Sequence, residues 1–105
     1  NVRQIPMLVE IDASLLTESS AVGRVSGPLE FMHLPRVGET VSLSRVMADG
    51  FSGHLVVEHV IHLPNSGSNP LLSLSDIVAS SEGAAKLLGA ALTKEYGLFF
   101  EPYGD

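Results

Sequence analysis

Four histidines, His33, His54, His59 and His62, carry the most versatile chemistry in this chain. An imidazole binds metals and moves protons near neutral pH. Three of the four lie in the run HLVVEHVIHL, residues 54–63. The run alternates as a strand does, so successive side chains leave on opposite faces. His54, Glu58 and His62 share one face with Val56 and Val60. Leu55, Val57, His59, Ile61 and Leu63 share the other. Residues four apart on one strand face are separated by roughly 13 Å. One metal with bonds of about 2 Å does not span that gap. His59 and His62 point to opposite faces, so they do not chelate either. A metal site would need His33 or a residue of a neighbouring strand, and no metal or other cofactor is expected.

His59 stands on the apolar face. Burial disfavours its charged form. Its first reading is a neutral core histidine bonded to a backbone carbonyl or hydroxyl. Its second is a ligand contact or general base in a pocket. No nucleophile elbow, phosphate-cradling glycine loop, zinc helix motif or dinucleotide fingerprint occurs. Ser42, Ser44, Ser73 and Ser75 alternate as ordinary outward strand residues. Arg36 and Arg45 have the fork geometry for a carboxylate or phosphate. Surface acids outnumber them and are their expected partners.

The elements that position these residues follow from alternation and turn chemistry. Residues 29–34 alternate, and Pro35 then removes a backbone donor and stops the ladder. Pro35-Arg36-Val37-Gly38 is a tight corner. A strand is expected at 40–46, with Val41 and Leu43 inward and Ser42 and Ser44 outward. Asp49-Gly50 and Gly53 supply hairpin chemistry into the strand at 54–63. Upstream, residues 4–12 form the first strand, with Ile5, Met7, Val9 and Ile11 on one face. Pro6 argues for an edge position or for pairing that starts just after it. Residues 13–28 read as a flexible connection, with Gly27-Pro28 as a turn signal. Residues 64–70 are an exposed loop. Residues 71–79 form a strand in which Leu72, Leu74, Asp76 and Val78 face one way. A helix runs over 81–96 with Ser80 or Ser81 as its cap, Glu82 in its first turn and Gly97 at its end. Gly83, Gly89 and the alanines allow close packing against a sheet or another helix. Phe99 and Phe100, adjacent on an extended tail, point opposite ways, one to the core and one outward.

Composition narrows the field. The 105 residues form a single domain, 1–105. Twelve acidic and six basic residues give a formal net charge of -6. The six bases do not cluster, so the electrostatic footprint of nucleic-acid binding is missing. Cysteine is absent, which removes disulfides, thiolate zinc sites and cysteine nucleophiles, and fits a reducing cytoplasm. The opening residues lack the pattern of a secretory signal. No apolar run approaches the roughly 18 residues that span a bilayer, so no membrane partner is expected. Hydrophobic content is 45% and mean hydropathy +0.28. That is high for a small domain and points to apolar surface that meets a partner or a second copy.

The runs FMHLPRVGETV (31–41) and HLVVEHVIHLP (54–64) resemble a pattern in small uncharacterised bacterial proteins, some carried on mobile elements such as integron gene cassettes. The resemblance covers about a third of the chain. It implies a small barrel-like sheet with a helix. It implies no established activity and supplies no catalytic residue.

The expected fold is therefore α+β. A bent, mostly antiparallel, barrel-like sheet of about five strands (4–12, 29–34, 40–46, 54–63, 71–79) carries one C-terminal helix packed on it. The expected function is non-catalytic binding or protein interaction, as a homodimer or with another protein. The alternative is a small-ligand-binding barrel whose apolar pocket is lined by Phe31, Phe51, His59 and Phe99. A third reading is an enzyme that pairs His59 or His33 with a carboxylate.

Overall fold

A computed structural model describes residues 5–104. The elements are β1 (Met7–Leu16), β2 (Ala21–Phe31), β3 (Thr40–Ser42), β4 (His54–Ile61), β5 (Leu71–Leu74), β6 (Ile77–Val78), α1 (Glu82–Tyr96) and β7 (Phe99–Pro102). The strands join in the order β3-β4-β5-β1-β2-β7, and β6 also pairs with β1. β5 and β6 run parallel to β1. The other pairings are antiparallel. The class is α+β, with one helix on a seven-stranded mixed sheet. The sheet is open, not a closed barrel. Residues 32–39 are the reason: they carry the chain from β2 to the far end of the sheet, so β3 does not pair with its predecessor.

The largest departure from the sequence reading is at residues 13–28. They are no loop but the centre of a long hairpin, in which Met7 pairs with Phe31 and Leu15 with Gly23. Its inward positions Val9, Ile11, Ala13 and Leu15 on β1 and Val25 on β2 are buried. Thr17 closes the turn. Its hydroxyl accepts from the amides of Ser19 (3.3 Å) and Ser20 (3.1 Å), and its own amide donates to the Ser20 carbonyl (2.8 Å). Pro28 is tolerated inside β2 for a geometric reason. The Glu10 amide opposite it donates to the Pro70 carbonyl at 2.9 Å, on the β5 side. Glu10 and Pro28 are thus a non-bonded pair of the ladder, and the missing proline N–H costs no bond there. On its other side β7 pairs only with Gly23 to Ser26.

Two phase slips overturn other assignments. In β4 the register shifts between Val57 and His59, leaving Glu58 as a bulge. Leu55 and Val57 are buried as expected, but His59 emerges exposed and Val60 turns toward the core. The strand expected at 71–79 breaks at Ser75 and Asp76. There the Ser75 amide donates to the Val56 carbonyl (2.9 Å), and the Val56 amide donates to the Ser75 hydroxyl (2.9 Å). After the break Ile77 and Ala79 are buried, while Asp76 and Val78 are exposed. β3 is shorter than its expected 40–46, although Val41 and Leu43 are buried and Ser42 and Ser44 exposed.

The helix follows its sequence signals. Ser81 caps it, accepting from the Ala84 amide at 3.1 Å, and the Gly97 amide donates to the Thr93 carbonyl at its end. Ala85, Leu88, Gly89 and Leu92 face the sheet, and Leu87 faces solvent. Burying Leu88 and Leu92 contributes about 1.5–3 kcal/mol each. A Cβ at Gly89 would lie 2.6 Å from the Phe100 ring, so the bare glycine is the seat of that ring. Phe100 is half-buried there, while Phe99 is 68% exposed. None of the helices in the described residues is long and apolar enough to cross a membrane.

Candidate functional site

Leu29 and Phe31 occupy inward positions of β2, yet both are only half-buried. Leu98 packs at Gly27, where a Cβ would come within 3.2 Å of it. Beyond that point the cover of the sheet gives way to a groove of about 1040 Å³. Leu29, Phe31, Leu34, Val41 and Leu43 supply its apolar lining. His33, Glu39 and Thr40 add polar groups, and Arg45 and Tyr96 stand where the helix ends.

Polar ties fix this rim. The Arg45 amide donates to the Tyr96 hydroxyl at 3.1 Å, and its guanidinium lies 5.4 Å from the centre of the Tyr96 ring. Arg45 Nη1 also donates to the Glu95 carbonyl at 3.4 Å. At the corner, the Arg36 amide donates to Glu39 Oε1 at 2.6 Å, and Arg36 Nη2 lies 3.4 Å from Glu39 Oε2. That amide bond, aided by the guanidinium charge, holds the Glu39 carboxyl below the usual carboxylate range.

A second hollow, about 720 Å³, lies between the β1–β2 turn and the start of α1. Asp49 is its anchor. Its carboxylate accepts from the Ser80 hydroxyl (2.6 Å) and the Ser80 amide (2.7 Å), and these bonds, the hydroxyl first, hold it below the usual range. This is a structural tie between the β3–β4 loop and the helix entrance. No group of three metal-ligating side chains exists among the described residues.

The four residues expected to line one pocket do not converge. Phe31 lines the groove. Phe51 is half-buried against the core at the β3–β4 turn. His59 and Phe99 lie on the helix-free face, in the cross-strand row His59–Ser73–Asp12–Ser26–Phe99. Four strand spacings put them roughly 19 Å apart. An open sheet spreads these residues out where a closed barrel would have gathered them. Histidine–carboxylate catalysis finds no pair: ion pairs among the described residues join Arg24 to Asp12 (3.2 Å) and Glu101 (3.9 Å), and Arg36 to Glu39. The 3.2 Å approach of Arg24 Nε to Asp12 is a charge contact without hydrogen-bond geometry. His33 sits exposed beside the groove, and His54, His59 and His62 are exposed elsewhere. Tyr96 and the backbone of β3 escaped sequence reading. The signal for Tyr96 was its place in the last helical turn, while nothing local foretells which strand ends a sheet.

Compared with family models, curated proteins and solved structures, the chain matches none.

Proposed function

We propose that the protein is a non-catalytic binding domain that holds a partner in the groove beside β3. The observation that carries this reading is the half-covered apolar lining, Leu29, Phe31 and Leu34, left open next to strand backbone. Concave sites with apolar walls and a few placed polar groups are the usual form of binding sites. The test is a titration of isotope-labelled protein with a small set of apolar and aromatic fragments, followed by amide and methyl shifts. Shifts concentrated at Leu29, Phe31 and Val41 are expected. Shifts confined to other surfaces overturn the reading. The proposal includes a cytoplasmic location, with which a cysteine-free chain is compatible.

Self-association is a second reading, favoured by the helix-free face. Leu8 (48% exposed), Ile61 (43%) and Phe99 lie uncovered there. The face also carries Glu10 and Asp12 on β1, Glu30, Arg24 and Glu101 toward β7, with Arg24 beside Asp12 and Glu101, and His59 toward β4. A two-fold axis along β1 would lay the β7 end of one copy, with Phe99, over the β4 end of the other, with Ile61. Native mass spectrometry of wild type and Phe99→Asp tests it. A wild-type dimer that the substitution dissociates is expected, and a wild-type monomer at all concentrations overturns it.

A further inference from the structure

Six consecutive residues, Gly38 to Leu43, border the groove. Alternate side chains leave a strand on opposite sides. A consecutive run therefore brings main chain to the space, not one side-chain face. β3 is a terminal strand with β4 as its single neighbour. Its ladder to β4 uses the odd-numbered residues. The Leu43 amide donates to the Gly53 carbonyl (2.6 Å), and the Glu39 carbonyl accepts from the Val57 amide (2.9 Å). Val41 lies between them, opposite Leu55. Bonded and non-bonded positions alternate in an antiparallel pair. The N–H and C=O groups of Thr40 and Ser42 thus point away from β4. No backbone or side-chain partner satisfies them among the described residues.

We propose that this edge docks an extended, positively charged segment of a partner protein, which adds to β3 as an antiparallel strand. The proposal rests on the binding reading above and names the class of partner. In an antiparallel addition, Thr40 and Ser42 each exchange two hydrogen bonds with one peptide residue, four in all. Alternate peptide side chains then turn toward the apolar lining and toward water. The charge follows from the surroundings. Glu39 borders the groove with Arg36 as its neighbour, and Arg45 is engaged by Tyr96 and the Glu95 carbonyl, so no cation is left facing the strand edge uncompensated. The net charge of -6 steers a basic segment toward the protein. The opposite terminal strand, β7, offers less, because Pro102 removes one of its donors.

The probe is a capped hexapeptide of alternating lysine and valine. Its analogue carries N-methyl groups on the amides that would face β3. A glutamate–valine version controls for charge. Isotope-labelled protein is titrated with each, with amide shifts and hydrogen exchange read at Thr40 and Ser42. The lysine peptide is expected to shift and protect both amides, and N-methylation to weaken it at least about tenfold. Ser42→Pro, at a position whose N–H is unpaired, is expected to weaken it similarly, and Ser42→Ala to leave it unchanged. An N-methylated peptide that binds as tightly overturns strand addition but leaves the groove as a binding site. Tighter binding of the glutamate version overturns the charge assignment. No shift at millimolar lysine peptide, with apolar fragments still shifting Leu29 and Phe31, overturns the peptide and spares the groove. No response to either overturns both. Concentration-dependent protection of Thr40 and Ser42 without peptide overturns the proposal in favour of a second copy.

Discussion

The two ends of the sheet are finished in opposite ways. At the β7 end, side chains have been removed so that surfaces interlock. A Cβ at Gly23 would lie 2.6 Å from the Glu101 carbonyl oxygen and 2.8 Å from the Phe100 ring, and Gly89 seats the same ring from the helix. The Tyr103 amide extends the contact to the Val22 carbonyl at 2.8 Å. At the β3 end, polar ties do the holding. Asp49 and Gly50 adopt positive φ (53° and 78°), as a type I′ turn requires, and the Phe51 amide donates to the Ala48 carbonyl. Asp49 then reaches Ser80, and Arg45 reaches Tyr96. Close packing shuts one end against solvent. Hydrogen bonds placed behind the strand fix the other while its outer backbone stays open. A terminal strand can thus be stable without being covered.

Substitutions at the two ends should separate these modes. Leu88→Ala removes a fully buried side chain that holds the helix to the sheet. Urea unfolding should show a loss of about 2–5 kcal/mol, with faster exchange of β7 amides before those of β4. Equal acceleration at both ends would dissolve the contrast. Gly53→Ala attacks the β3 end, where φ is +87° and a Cβ would come within 2.8 Å of the Ser44 backbone. A loss of about 1–3 kcal/mol is expected, with the Leu43 amide exchanging faster. Tyr96→Phe removes the hydroxyl that accepts from the Arg45 amide. About 0.5–1.5 kcal/mol should be lost, with the shift changes confined to Arg45 and its neighbours. Acid titration gives the smallest effect. The Asp49 carboxyl is held below the usual range by Ser80, so its tie is full above about pH 4 and fades as pH falls through the folded value. The difference in Tm between wild type and Asp49→Asn should be greatest near neutrality and narrow in acid.

The parts of the fold that were legible in the sequence carried local instructions. Ser81, Glu82 and Gly97 mark both ends of α1, and the structure uses them. Asp49-Gly50 marked a hairpin, and alternation marked Leu55 and Val57 as core. The β1–β2 hairpin was hidden because its inward positions include Ala13, Gly23 and Gly27, which read as loop residues. The bare backbone of Gly23 and Gly27 answers to Phe100 and Leu98, contacts from the other end of the chain. His59 was misplaced because a bulge at Glu58 leaves no local signature. The candidate groove was legible only through Phe31 and the Pro-Gly corner. Its open backbone depends on where β3 falls in the strand order, and the crossing of residues 32–39 decides that.

The central position of β1 also has a consequence in time. Its partner on one side, β2, follows directly in the chain, while its partner on the other is separated by the interval from Glu10 to Leu71. A hairpin forms in about 1–10 μs once its residues are free. On a ribosome that adds about 5–20 residues per second, some 60 residues take on the order of 3–12 s. For those seconds one side of β1, with Ile11 and the amide of Glu10, has no strand beside it. The nascent chain is then most exposed to wrong partners, and slowing synthesis between residues 31 and 71 would prolong that interval.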